Sequence, residues 1–590
     1  MISHPRQEID PSPVSKPPGE PADSLRDLNV LVLDAQATGA NPERGALLEL
    51  GWGSTAASHD HPIDARSIES HVVALPPGHT VPPPVRRITG ITPPEIAAAR
   101  TREDVWRRLE AAASHTRPTV VHFARFERPF LLQLHLEQSP ASPCPFDLVC
   151  THEIARRLLP ELPRRGLRAL AGYLGHSTAD LRRAAEHVAA TAFVWRRLVE
   201  RLDQRERVQT LAQLRTWLAQ PFKPAKKRRH MYPMPKGKRL AVPHSPGVYR
   251  MLRRDGDVLY VGKATSLHTR VNSYFRRQRG VPDRTLEMLS QAHDLAVTPT
   301  ATALEAALLE LDEIKRTAPP YNVAFADGAR HVWFAASGFA SWQISADGDH
   351  RQGPFVSPEP FEALVALATA LSHPEACDAW ADAVRLPDQA RDHVRTAWRT
   401  HSWLARWSAA AGRGSIRPGD LLHDAHRRHA QQLAHADRAS EPPPLPAGEP
   451  ARDEVPPHPT EGEDEWTPER VARVALASLS AAAWSWRRAR WWCALAESTL
   501  VFGEHRLAIE HGSVADVGRT RHGRPAPVPT HWRRSMTARQ HGFDRTICDR
   551  LRVLTTELRR EVTQRQHVEL RFGPTRALDR ARLIRALRWV

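Results

Sequence analysis

Two proline-rich, charged stretches divide this chain before any other pattern is considered. Pro221 to Pro243 sets Lys223, Lys226, Lys227, Arg228, Arg229, Lys236, Lys238 and Arg239 among prolines, and Glu441 to Glu465 mixes proline with glutamate. Proline gives no amide hydrogen to a helix or a ladder, and crowded like charges resist burial, so neither stretch suits a core. A chain of 590 residues also exceeds one core, since cores stop growing near ~250–300 residues. The expected parse is a disordered tail over 1–27, an α/β unit over 28–205, a basic linker over 206–243 and a compact α/β unit over 244–325. A connecting α/β region over 326–437, a disordered linker over 438–465 and an α+β region over 466–590 complete it. No internal repeat is seen.

The formal net charge of +17 surrounds the chain with a positive field and favours a polyanionic partner such as nucleic acid. The basic run Lys226, Lys227, Arg228 and Arg229 is either a solvated tether or a phosphate contact. The cysteines Cys144, Cys150, Cys377, Cys493 and Cys548 form no C-x-x-C pair, which argues against a structural zinc and for a reducing compartment. The first residues lack an apolar signal core and no run of ~18 apolar residues follows, so a cytoplasmic, nucleoid-associated protein with no membrane partner is expected.

The most informative segment begins at Ser245. Residues 245–251 alternate as a strand, turn at Asp255-Gly256, and return as Val258 to Gly262; Asp-Gly between alternating apolar runs signals a hairpin. The run Lys263 to Phe275 then reads as a turn feeding a helix, bringing Lys263, Arg270 and Tyr274 beside Tyr249 and Tyr260. Farther on, Ala303, Ala306, Ala307, Glu310 and Ile314 share one helical face, so a carboxylate projects from an apolar stripe. Burying it unpaired costs several kcal/mol. Lys263, Arg270 or a bound metal are the compensating cations on offer.

These residues resemble the GIY-YIG nucleases, and within them the excision-repair incision subunit UvrC and its relative Cho. The resemblance lies in Pro246 to Tyr249, Leu259 to Ala264, Leu267 to Phe275, Ala307 to Glu310, Ile314-Lys315 and Pro319 to Asn322. It implies catalytic positions Tyr249, Tyr260, Lys263, Arg270, Tyr274, Glu310 and Asn322, with one divalent metal, magnesium or manganese, on Glu310 and waters. In that scheme Tyr249 helps deprotonate the attacking water, Arg270 neutralises the phosphorane oxygens, and Tyr260, Lys263, Tyr274 and Asn322 are positioning groups.

Residues 28–202 resemble the DEDDh exonucleases, the family of the proofreading subunit of DNA polymerase III, which implies an RNase H-like fold. The matching runs are Val32 to Gly39, Thr89 to Thr92, Val121 to Glu127 and Arg182 to His187. That family holds two metals with four carboxylates, yet here the D-x-E pair is Asp34 and Gln36, the second motif offers Glu127, and the third runs from Arg182 to His187. Glu186 is one residue out of place, and such a shift turns a helical side chain by about 100°. Too little negative charge remains for two metals, so this degenerate site is expected to be inactive and to bind a strand or a partner. An altered one-metal site on Asp34, Glu127 and His187 is the other reading.

In the last part, Trp484, Trp486, Trp491 and Trp492 with Arg487, Arg488 and Arg490 fit a core helix with an arginine face better than a base-stacking platform. The stretch Asp544 to Glu561 reads as an amphipathic helix, docking or solvated. The sequence as a whole predicts a metal-dependent, structure-selective DNA endonuclease making one incision in excision repair, acting on damaged or branched DNA with a repair or replication partner. A bifunctional 3′-5′ exonuclease/endonuclease and a non-catalytic DNA-binding adaptor are the alternatives.

Overall fold

The computed structural model describes residues 24–58, 63, 65–114, 116–177, 181–222, 230–276, 280–322, 331–411, 415–436, 465–519, 542–572 and 576–587. They form a mixed α/β multidomain chain containing four sheets. Among them no helix is long and apolar enough to cross a membrane.

The first sheet has the order β3-β2-β1-β4-β5, built from β1 (Val30–Ala37), β2 (Leu47–Thr55), β3 (Glu69–Val72), β4 (Thr119–Val121) and β5 (Leu148–Cys150). Its central strand β1 runs antiparallel to β2 and parallel to β4. Both faces of β1 are covered, which explains its nearly unbroken apolar run. Leu31, Leu33 and Ala35 pack with helices Arg102–Ser114 and Ala124–Gln138, whereas Val30 and Val32 pack with helix Ala184–Arg201. Asp34 and Gln36 continue the second set, because side chains alternate along a strand.

The folded unit reaches beyond both expected boundaries. Leu25 is fully buried in its core and donates its amide to the Gln209 carbonyl, so the tail expected over 1–27 is partly structured. Helix Leu211–Ala219 buries Leu211 and Leu214 in the same core, and Met234 and Val242 are buried in the core of the second unit, so both ends of the linker expected over 206–243 are folded. The signal was present in Thr210 and Gln213, a capping box ahead of an apolar run. Lys226, Lys227, Arg228 and Arg229 lie outside the described residues.

The second sheet is antiparallel, in the order β7-β6-β8, from β6 (Gly247–Leu252), β7 (Val258–Ala264) and β8 (Asp294–Pro299). Gly256 at the hairpin turn has φ +96°, a region that costs glycine nothing. Val248 and Val261 face helix Ala303–Thr317 through Ala306 and Ile314. On the opposite face, Tyr249, Met251 and Leu259 pack with Leu267 and Val271. This unit is braced against the first by the Arg164–Asp283 ion pair and by the Arg164 amide, which donates to Ser290 Oγ over 3.1 Å.

The remaining chain does not divide at 438–465. One apolar cluster joins Phe339, Phe355, Phe361 and Trp380 to Val471, Leu479 and Ala489, so residues on both sides of that stretch build a single core. The cluster is flanked by the sheet β10-β9-β11, made of β9 (Trp333–Ala335), β10 (Trp342–Gln343) and β11 (Gln352–Phe355). Helix Pro468–Leu495 then enters a second cluster at Trp491, Trp492 and Leu495, packing on the antiparallel sheet β14-β13-β12-β15-β16. Its strands are β12 (Ser498–Phe502), β13 (His505–Glu510), β14 (Ser513–Arg519), β15 (Val568–Phe572) and β16 (Arg576–Leu578). The tryptophans serve this packing: Trp491 and Trp492 are buried, with Arg488 over Trp484 and Trp492 and Arg490 over Trp486.

Helix Arg545–Gln564 is a docking helix. It places Ile547, Leu551, Leu554 and Leu558 in one apolar cluster with Leu304, Ala307, Leu308 and Leu311 of helix Ala303–Thr317. Lys315 Nζ to Asp549 (2.5 Å) and Arg550 Nε to Asp312 (2.7 Å) flank that seam.

Candidate active site

Tyr249 and Tyr260 are brought together by the register of β6 against β7, in which Tyr249 faces Gly262 and Met251 faces Tyr260. A Cβ on Gly262 would lie 2.5 Å from the Tyr249 hydroxyl and 2.8 Å from the Tyr260 ring. Only glycine lets the two phenols converge there. Helix Leu267–Ser273, capped by Ser266, carries Arg270 and delivers Tyr274. The Tyr249 and Tyr274 hydroxyls are 2.8 Å apart, and the Arg270 guanidinium sits 5.2 Å from the Tyr274 ring centre.

Glu310 approaches from helix Ala303–Thr317 and accepts the Lys263 backbone N–H over 2.8 Å. Burial raises its pKa, opposed by the charge and amide of Lys263 and by Arg270. Its anionic form is therefore under-compensated by the protein, and a lone carboxylate oxygen set beside phenols suits a hard cation. Among the described residues no group of three or more His, Cys, Asp or Glu is placed to hold a metal, and Glu310 is a carboxylate whose charge is felt by the Tyr260 phenol.

Tyr249 is fully buried, and burial followed by the neighbouring phenols pushes its pKa well above the ordinary tyrosine range, with Arg270 acting in the opposite direction. Tyr260 is raised for the same reasons, and Glu310 adds to the effect. Asn322 sits at the edge strand of the same sheet. Its Oδ1 accepts the Val261 amide and its Nδ2 donates to the Val261 carbonyl, each over 2.9 Å, so it fastens the segment after Pro319 to the edge of β7.

Lys263 has a partner that the sequence reading did not name. Its Nζ donates to Glu557 Oε1 over 2.6 Å, and Arg560 shares that oxygen at 2.8 Å. Glu557 is buried, on helix Arg545–Gln564. A signal existed, because Glu557 follows Leu554 by three positions and so falls on the apolar stripe.

In the first unit the degenerate motif residues also converge. His187 Nδ1 is 3.2 Å from Asp34 Oδ1, and the Asp34 charge holds its pKa up against burial. Gln36 donates to the Arg182 carbonyl over 2.7 Å, while the Arg182 side chain is exposed. Glu186 accepts the amides of Arg182 and Arg183 and thereby caps its helix, away from the carboxylates. Asp34 Oδ2, Gln36 Oε1 and Glu127 Oε2 are buried with no hydrogen-bond partner. Burial, then Asp34, raises the Glu127 pKa to about 8.

The family model for a UvrC-like GIY-YIG domain matches residues 245–323. A Mycobacterium tuberculosis protein named as a bifunctional exonuclease/endonuclease is 30% identical over 358 residues, 57% of this chain and 51% of its own length. This chain therefore spans about half of that curated relative. The magnesium-bound GIY-YIG N-terminal endonuclease domain of UvrC from Thermotoga maritima is 32% identical over 15% of this chain and 94% of that one, TM-score 0.14. Exonuclease X in complex with 5′ overhanging duplex DNA is 20% identical over 30% of this chain and 93% of that one, TM-score 0.23. Residues 245–323 are thus a UvrC-like GIY-YIG domain.

Proposed function

We propose that the chain is a metal-dependent, structure-selective DNA endonuclease that nicks one strand during repair. The observation that carries this is the convergence of Tyr249, Tyr260, Tyr274, Arg270 and Glu310 inside the UvrC-like GIY-YIG segment. Glu310 would hold a divalent cation, magnesium or manganese, which when bound supplies Lewis acidity at the phosphate and a positive field. Tyr249 takes a proton from the attacking water, and Tyr274, within hydrogen-bond reach, orients its oxygen. A phenol this buried must first give its own proton to solvent to act as the phenolate base, and near neutral pH it does so only beside positive charge, which Arg270 supplies and a bound cation would add to. The guanidinium of Arg270 neutralises the non-bridging oxygens as the P–O bond to the leaving strand breaks. The division into an exonuclease-like unit, the GIY-YIG unit and a joint C-terminal half belongs to the same proposal.

The test is conversion of supercoiled plasmid to nicked circle under Mg²⁺ or Mn²⁺, followed by cleavage mapping on bubble, flap and adduct-bearing duplexes. Glu310→Gln should abolish nicking and keep DNA binding. A Glu310→Gln protein that cuts at the wild-type rate rejects the assignment.

For the first unit we propose a DNA- or partner-binding platform without two-metal exonuclease activity. The unpartnered oxygens of Asp34, Gln36 and Glu127 favour a second reading, a single-cation site with residual 3′ trimming. Release of nucleotides from a labelled 3′ end under Mn²⁺, with Glu310→Gln to silence nicking, separates the two: release that Asp34→Asn removes establishes trimming.

A further inference from the structure

We propose that Glu557 is a positioning residue of the nuclease centre, holding the Lys263 ammonium aside so that Glu310 stays open to its cation. The inference rests on the proposed nuclease reading. Lys263 follows Gly262 on β7, and its backbone amide already binds Glu310. The ammonium on its flexible four-carbon stem is therefore within reach of the same carboxylate. Glu557 takes that ammonium instead, at 2.6 Å, and it does so from a buried and well-anchored place.

The anchoring is visible on either side. Leu554 and Leu558 bracket Glu557 within the apolar seam against Leu304, Ala307, Leu308 and Leu311, and Arg560 donates to the same Glu557 oxygen. A buried carboxylate needs paired cations, and Lys263 and Arg560 supply them. The helix is thus built to deliver one negative charge to one lysine beside the metal-binding carboxylate. Take that charge away, and Glu310, which already accepts the Lys263 amide and feels the Lys263 charge, is an anion open to the ammonium. A lysine–glutamate pair there occupies the oxygens that a divalent cation requires.

The experiment uses the full chain and Mn²⁺ alone, with binding followed by electron paramagnetic resonance and nicking of supercoiled plasmid followed in parallel. The Glu310 site is defined as the Mn²⁺ binding lost in Glu310→Gln. Glu557→Gln should weaken that binding roughly tenfold, within the range seen when an outer partner of a metal ligand is removed. Its nicking should recover as Mn²⁺ is raised, with KM for DNA unchanged. Adding Lys263→Met to Glu557→Gln should return Mn²⁺ affinity to within about twofold of wild type, because the competing ammonium has gone; such coupling is what a double-mutant cycle isolates.

Asp549→Asn, which breaks the Lys315 pair on the same seam away from the centre, should leave both readouts within about twofold of wild type. Wild-type affinity in Glu557→Gln overturns the proposal, as does a double variant as weak as Glu557→Gln or an Asp549→Asn protein equally impaired. If Glu557→Gln fails to fold, Lys263→Met alone decides, since it should bind Mn²⁺ no more weakly than wild type. Unchanged Mn²⁺ binding in Glu310→Gln, or a wild type that does not nick, instead rejects the nuclease reading beneath it.

Discussion

The Tyr249 hydroxyl lies 2.8 Å from the Tyr274 hydroxyl, where burial disfavours the Tyr249 phenolate and Arg270 opposes that effect. Because the Tyr249 pKa is raised, its base form is the minor species through neutral pH and grows with alkalinity. The nicking rate should climb from pH 6.5 to 9.5 under saturating Mg²⁺. Tyr249→Phe should remove at least about a hundredfold of rate, within the span of general-base contributions, and Tyr274→Phe, which removes only the orienting hydroxyl, clearly less. A flat pH–rate profile, or a Tyr249→Phe enzyme near wild-type rate, contradicts the role of Tyr249.

Gly262 tests the phenol geometry without touching a phenol. Its replacement by alanine puts a methyl 2.5 Å from the Tyr249 hydroxyl, so the ring must shift. Misplacing a reacting group by about 1 Å costs on the order of a hundredfold. Gly262→Ala should therefore lose nicking by that amount, and circular dichroism should show the secondary structure retained. Full activity would show that the hydroxyl's position is not critical.

The second unit leans on a largely buried ion pair at its opposite face, in which Glu313 is buried and Arg250 partly so. Arg250 Nε donates to Glu313 over 2.6 Å, a second Arg250 nitrogen pairs with the other Glu313 oxygen, and Arg250 also reaches Thr298. Glu313→Ala strands the guanidinium and should destabilise the unit by about 3–5 kcal/mol, whereas replacing both residues with similarly sized apolar side chains should cost much less. Urea unfolding followed by tryptophan-free probes in the second unit would measure it, and equal losses for the single and paired substitutions would refute it.

Glu127 links the first unit's stability to pH. Its folded pKa, about 8, stands above the ordinary carboxylate value, so the fold favours the protonated form. The corresponding stability is fully present below about pH 4.5 and is lost as pH rises through about 8, up to an amount on the order of 4–5 kcal/mol. Thermal melting should show the first unit weakening across that window, and Glu127→Gln should flatten the trend. Mn²⁺ should restore more stability at pH 8 than at pH 5.5 if the unpartnered oxygens of Asp34 and Glu127 take a cation; equal protection at both values counts against a site there.

Much of the site was legible because its residues sit close together in local patterns. The Asp255-Gly256 turn announced the hairpin, the hairpin register carries Tyr249 to Gly262, and Glu310 stood out as a carboxylate on an apolar helical stripe. The first unit was legible in the same way; the one-residue displacement of Glu186 implied that it could not replace the lost carboxylate, and its role as a helix cap was not read from the sequence. What escaped was non-local. Glu557 meets Lys263 only through packing of two helices far apart in the chain, and no local periodicity encodes a partner. The shared core of Phe361 and Val471 escaped likewise, since a proline-rich stretch between them looks like a boundary whether or not its two flanks fold onto each other.

The Lys263–Glu557 pair spans 294 positions of sequence. On a ribosome the hairpin, Arg270 and Glu310 emerge long before the helix that carries Glu557. A chain released before position 545 would bear the nuclease motif without the helix that pairs its lysine, so translation past Gln564 is what separates an unfinished centre from a finished one.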